Sequence, residues 1–185
     1  MTLYFITGSE HKFQEIKEIL QQVEKINFDL KEIQEIDSKK IIEEKLKEAL
    51  KIKKAEFIVE DSSLYLDCLN GFPGPLIKWL LKTIGNEGIF NLTEKLGNNN
   101  AEAKTIIGYA RNEKEIYFFE GSLRGKIVYP RGKNGFGWDE IFQPEKSNKT
   151  FAEMTLEEKN NFSMRKIATE KLKNFLDSNK IGLSR

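Results

Sequence analysis

Phe57-Ile58-Val59-Glu60-Asp61-Ser62-Ser63-Leu64 decides how the chain is read. Three apolar residues, two of them β-branched, form a short buried strand. That strand runs straight into two adjacent carboxylates. Burying unpaired charge costs several kcal/mol, so the pair marks either a solvated strand end or a place where a cation binds. Neighbours in a strand point to opposite faces, so only one of the two acids faces a pocket. Carboxylates at a strand end suit a hard cation such as Mg²⁺, which takes oxygen ligands and polarises water. On this pair alone the two readings balance.

Upstream, residues 3–7 read as an apolar strand and residues 10–22 as a helix, with Phe13, Ile16, Ile19, Leu20 and Val23 at helical spacing. Between them stands Thr7-Gly8-Ser9-Glu10-His11-Lys12. Free N–H groups at a helix amino end bind phosphate, and Lys12 adds a point charge. The second glycine and the Gly-Lys-Ser/Thr ending of a Walker A loop are missing, and by itself such a turn is more often plain punctuation. Residues 27–33 alternate apolar and polar and read as a second strand, which puts Glu32 on the side of Phe28 and Leu30. An acid there needs a partner, either a metal or a lysine. Asp37-Ser38 caps a helix over residues 38–55, with Ile41, Ile42, Leu46, Ala49, Leu50 and Ile52 as its buried stripe.

Downstream, Leu64, Leu66 and Cys68 alternate as a further strand, and Gly71-Phe72-Pro73-Gly74-Pro75 is a stiff loop. Two short helices over 76–83 and 86–96 are separated by Gly85 and closed by Gly97. Lys78 falls in the first turn, against the helix dipole, which fits a bound anion or an ordinary surface lysine. Residues 103–110 and 115–121 form an antiparallel pair, and 125–129 a further strand. A glycine-rich loop then leads into Asn134-Gly135-Phe136-Gly137-Trp138-Asp139. A ring beside a carboxylate can stack on a purine and accept its N–H protons, although a core aromatic after a turn is the commoner case. Thr155-Leu156-Glu157-Glu158 is a capping box opening a helix that runs to residue 177. On it, Lys159 and Ser163 lie four apart, with Arg165 close by. An Arg fork reads phosphate or carbonyl oxygens, and a plain charged helix face fits equally. The order of elements is α/β without regular βαβ alternation, which points to a long, twisted mixed sheet with flanking helices.

With 185 residues, the chain makes one domain over 1–185, bilobed in outline. Its net charge of +1 exerts no global pull on nucleic acid or membrane. Cys68 is the only cysteine, so no intramolecular disulfide forms, and His11 is the only histidine, which excludes a multi-histidine metal site. The first residues lack the features of a signal peptide, and no apolar run approaches the roughly 20 residues of a membrane span. A cytoplasmic location is expected, with neither nucleic acid nor membrane as partner.

Taken together, TGSEHKFQE, KEIQ, VEDSSL, NGFPGPLIKW, GNEGI, GKIVYPRG, FGWDEIF, TFAEMTLEEKN and SMR occur in an order that resembles the inosine triphosphate pyrophosphatase family, from Thr7 to about Phe175. The resemblance implies a twisted mixed sheet with two lobes around a central cleft, and usually a homodimer. It implies Mg²⁺-dependent hydrolysis of ITP, dITP or XTP to the monophosphate and pyrophosphate. By position, Asp61 resembles the acid that activates water or holds metal, and Glu32 the second metal acid. Thr7, Gly8, Ser9 and Lys12 resemble the phosphate-binding turn, with Lys12 also in a catalytic role. Lys45, Ser62, Lys78 and Lys159 resemble contacts to phosphate or nucleotide. Phe136, Gly137, Trp138 and Asp139 resemble the base-stacking segment, and Ser163, Met164 and Arg165 the base-reading end. Two departures stand out. Ser9 replaces the family's usual asparagine, and Met164 replaces the histidine of Ser-His-Arg, so one base-directed donor is lost. Two other readings stay open: a pyrophosphatase acting on other or modified nucleoside triphosphates, and a nucleotide-binding module without catalysis.

Overall fold

The computed structural model describes residues 2–182. It begins with β1 (Leu3–Ile6), α1 (Glu10–Lys17) and β2 (Val23–Ile26). Next come α2 (Ser38–Ile52), β3 (Glu56–Leu66) and β4 (Pro73–Gly74). Then follow α3 (Ile77–Lys95), β5 (Asn100–Asn112), β6 (Glu115–Ile127) and β7 (Phe142–Pro144). The described chain closes with α4 (Leu156–Phe162) and α5 (Met164–Gly182). The strands form one mixed sheet in the order β2-β1-β3-β5-β6-β7, with β4 pairing β3. β1 runs parallel to β2 and β3, whereas β7 is antiparallel to β6.

Several elements differ from the sequence expectation, each for a local reason. Residues 27–33 are not a strand. β2 pairs only with the four residues of β1, and Thr7 N–H donates the last bond of that edge to the Ile26 carbonyl. Beyond it there is no ladder, and Phe28 and Leu30 reach the core from irregular chain. α1 stops at Lys17, whose ammonium donates to the Val23 carbonyl at 2.8 Å and leads the chain into β2. The two strands expected on either side of Glu60-Asp61 are one strand of 11 residues. The acidic pair is therefore inside a ladder and not at a strand end. The expected final helix is two, because Ser163 takes extended angles (φ −66°, ψ 125°). α3 does break at Gly85, whose φ of 68° and ψ of −179° no helix accommodates.

The chain divides into two compact units. Unit 1 takes the chain up to Asp61, Thr105–Gly121 and the chain from Arg165 onward; unit 2 takes Ser62–Lys104 and Ser122–Met164. In unit 1, side chains alternate between two cores. Phe5, Ile58, Ile107 and Tyr109 pack with Ile16 of α1 and Ala168 and Leu172 of α5. Ile6, Phe57, Val59, Ile106 and Ala110 pack with Ile42, Leu46 and Ala49 of α2. This is a helix–sheet–helix sandwich with strand parity deciding the face. Gly108 lets α2 lie close: a Cβ there would stand 2.1 Å from Ile42 Cγ2. Unit 2 has its own core, in which Leu64, Ile77, Ile89, Trp138, Phe142, Phe151 and Met164 are buried. Among the described residues no helix is long and apolar enough to cross a membrane.

Candidate active site

Strand parity separates the two acids of β3. Glu60 shares a face with Ile58 and turns towards α1 and α5; Asp61 shares one with Val59 and turns towards α2. Each carboxylate meets what its face supplies.

Glu60 is buried between two cations. Lys12 Nζ lies 2.6 Å from Glu60 Oε1, and Arg165 Nε donates to Glu60 Oε2 at 2.6 Å. The same guanidinium donates through Nη2 to Glu60 Oε1 and through Nη1 to Glu15 Oε2. Arg165 is 2% exposed, Glu15 5% and Glu60 8%, so one cation and two anions meet away from water, with half-buried Lys12 as the second cation. Burial pushes the Glu60 carboxyl up, but Arg165 and then Lys12 outweigh it and hold it at about 2. Burial likewise opposes the charge of Arg165, yet Glu60 and Glu15 hold that group above its ordinary range.

Asp61 is half-buried and accepts a hydrogen bond from Ser38 Oγ at 2.8 Å. Ser38 is the first residue of α2, whose amino end is capped by the Asp37 side chain accepting from Lys39 N–H. α2 also carries Lys45, which lies 3.0 Å from Glu32 Oε1, so a lysine is among the partners of that acid. The turn before α1 is internally bonded: Thr7 Oγ1 accepts from Ser9 N–H at 3.1 Å and Ser9 Oγ caps Lys12 N–H at 3.3 Å. Gly8 is not among the residues of positive φ, and nothing lies within 4 Å of where its Cβ would stand. The glycine here supplies open space beside the helix end, not a special backbone angle.

In unit 2, Asp139 is the hub. Its Oδ2 accepts from Lys159 Nζ at 2.8 Å and from the Phe136 N–H at 3.0 Å. The Lys159 ammonium also sits 5.1 Å from the centre of the Phe136 ring. Phe136 is half-buried on a loop held at positive φ by Gly135 and Gly137. Lys78 is exposed on the first turn of α3, and Ser62 is half-buried on β3.

Four positions differ from the sequence expectation. Trp138 does not present its ring for stacking. It is 7% exposed and meets Phe142 edge-on with centroids 5.6 Å apart, so Phe136 is the presented ring. Met164 is in the apolar core and Ser163 is buried. Arg165 spends its charge on Glu60 and Glu15, because a guanidinium this deep requires anionic partners. Sequence reasoning passed over Glu15 and Ser38 as working groups, and weighed Glu60 only as one of a pair in which Asp61 is the site acid. A signal existed for Glu15, which stands on the apolar stripe of α1 beside Ile16 and one turn after Lys12.

The sequence profile of the Ham1 family matches residues 3–175. The chain belongs to the Ham1 family. It is 41% identical to an inosine triphosphate pyrophosphatase of Schizosaccharomyces pombe over 183 residues, 97% of each chain. It is 38% identical to a dITP/XTP pyrophosphatase of Methanopyrus kandleri over 187 residues, 98% of this chain and all of the other. Among solved structures, the Ham1 protein of Staphylococcus aureus matches with a TM-score of 0.80 at 27% identity, covering 96% of this chain and 98% of that one. A HAM1 protein from Coxiella burnetii matches with a TM-score of 0.81 at 26% identity, over 95% and 98%. The matches to Ham1 relatives thus extend over both units.

Proposed function

We propose that the chain is a nucleoside triphosphate pyrophosphatase that hydrolyses the non-standard purine nucleotides ITP, dITP and XTP to the monophosphate and pyrophosphate. The observation that carries the reading is the division of labour within Glu60-Asp61. One carboxylate is consumed in holding Lys12 and Arg165; the other is half-buried beside a serine hydroxyl. The relatives' names supply the substrate class.

In this reading Asp61 takes the proton of the water that attacks the α-phosphorus, and pyrophosphate leaves. Lys12, held by Glu60, faces the developing negative charge at the α1 end. Lys45, Ser62 and Lys78 contact the phosphates, and the Phe136 ring, steadied by Asp139 and Lys159, stacks on the base. The donor chemistry suits Mg²⁺. Asp61 and Glu32 offer hard oxygen ligands, and no group of three His, Cys, Asp or Glu that could hold a metal occurs among the described residues. Magnesium ordinarily takes one or two carboxylates together with waters and substrate phosphates. It would supply Lewis-acid polarisation of the phosphate. A homodimer in the cytoplasm completes the reading.

A broader base range is the second reading, favoured by Met164 in the apolar core, where a thioether offers the base no donor. A panel of triphosphates with Mg²⁺, assayed for pyrophosphate against phosphate, decides. Pyrophosphate from ITP and XTP well ahead of ATP and GTP supports the first reading, equal rates the second. Release of single phosphate, or binding without turnover, removes both.

A further inference from the structure

The break at Gly85 splits α3 into two pieces, and Asn86 opens the second. Its side-chain amide donates twice, to the Gly137 carbonyl at 3.1 Å and to Glu140 Oε2 at 3.1 Å. Asn86 Oδ1 is buried with no hydrogen-bond partner. That asymmetry fixes the amide, because turning it over would aim the oxygen at a carbonyl and a carboxylate and lose both bonds. Two further contacts bind the same piece of α3 to this region. Tyr129 Oη donates to Glu87 Oε1 at 2.8 Å, and Phe90 meets the Tyr129 ring edge-on.

The loop that carries Phe136 is thus clasped twice. On one side Asp139 receives Phe136 N–H and Lys159. On the other, Asn86 donates to the carbonyl of Gly137, a residue at φ 65° with no side chain of its own to anchor it. We infer that Asn86 is a positioning residue for the base-stacking ring. It acts through the Gly137 carbonyl to set where Phe136 stands, with Glu140 holding the amide in register. The inference rests on the reading of Phe136 as the ring that takes the base.

Asn86→Asp is the decisive variant, because it keeps the shape and removes both donors while adding a carboxylate beside Glu140. Three quantities are read: KM and kcat for ITP, inhibition by inorganic tripolyphosphate, which has no base, and amide hydrogen exchange of residues 133–138. The expected result is a KM raised about tenfold, the loss of one or two hydrogen bonds, with kcat within about twofold. Tripolyphosphate inhibition stays unchanged and exchange of the loop rises. Glu140→Gln, whose side-chain carbonyl still accepts, stays near the parent. An Asn86→Asp protein with parent-like KM and parent-like loop exchange overturns the inference. So does one that weakens tripolyphosphate as much as ITP, which marks a general structural role. Failure of the parent protein to hydrolyse ITP is a separate result, sinking the functional reading while the exchange arm still reports on the clasp.

Discussion

Unit 1 and unit 2 each pair a lysine with a buried acid, but to different ends. In unit 1 the pair Lys12–Glu60 belongs to a four-charge cluster closed by Arg165 and Glu15, on the α1–α5 side of the sandwich. In unit 2 the pair Lys159–Asp139 sits under an exposed glycine loop and shares its carboxylate with a backbone N–H. The first arrangement joins β3, α1 and α5 and has no slack, since removing any member leaves a buried charge unmatched. The second shapes a loop and leaves the ring above it partly open.

The sharpest way to test that division lies next to the cluster and not in it. Asp61→Asn is expected to lower turnover by about a hundredfold or more, the usual share of a general base, with unfolding by urea unchanged. Activity close to the parent would remove Asp61 from proton transfer. Next in size, Glu60→Ala should cost about 3–5 kcal/mol of stability, because it takes from Arg165 and Lys12 the carboxylate they share and leaves Glu15 as the one anion of the cluster. A loss under about 1 kcal/mol would show the cluster to be solvated.

The same carboxylate gives a pH signature. Its folded pKa of about 2 lies below the ordinary 4.5, so its contribution is complete above that ordinary value and is lost as pH falls towards about 2. Urea unfolding followed between those limits should show a decline in the parent that Glu60→Gln lacks. In unit 2 the corresponding change, Asp139→Ala, is expected to cost about 1–3 kcal/mol and to raise KM for ITP more than it lowers kcat; an unaltered KM would separate the clasp from the base. The smallest effect belongs to Glu32→Gln. Its ion pair with Lys45 is exposed, so stability should shift by less than about 1 kcal/mol, while the magnesium concentration needed for half-maximal activity rises. An unchanged magnesium requirement would take Glu32 out of the metal site.

Much of the fold was legible along the chain. The caps at Ser9, Asp37 and Thr155, the break at Gly85 and the turn between β5 and β6 are local signals, and each occurs where the residues call for it. Failures came where a partner was needed. Phe28 to Ile33 alternates like a strand but has no neighbouring edge, and Glu60-Asp61 looks like a strand end until the ladder continues through it. At the site, residue types were legible and their company was not. Arg165 and Trp138 look like ligand-facing groups, yet both are buried: Arg165 against Glu60 and Glu15, far along the chain, and Trp138 against Phe142 and Phe151.

The sequence by itself determined the family, the order of most elements and the chemistry available: carboxylates on a strand, a lysine at a helix start, a ring on a glycine loop. These depend on propensity and motif, which act over a few residues. Only the tertiary structure decided that Glu60 anchors while Asp61 stays half-open, that Phe136 and not Trp138 is presented, and that Asn86 reaches the loop. Those outcomes follow from strand parity against particular helices and from the need of buried charges and of the Asn86 amide donors for partners. Both conditions are set by residues distant in sequence.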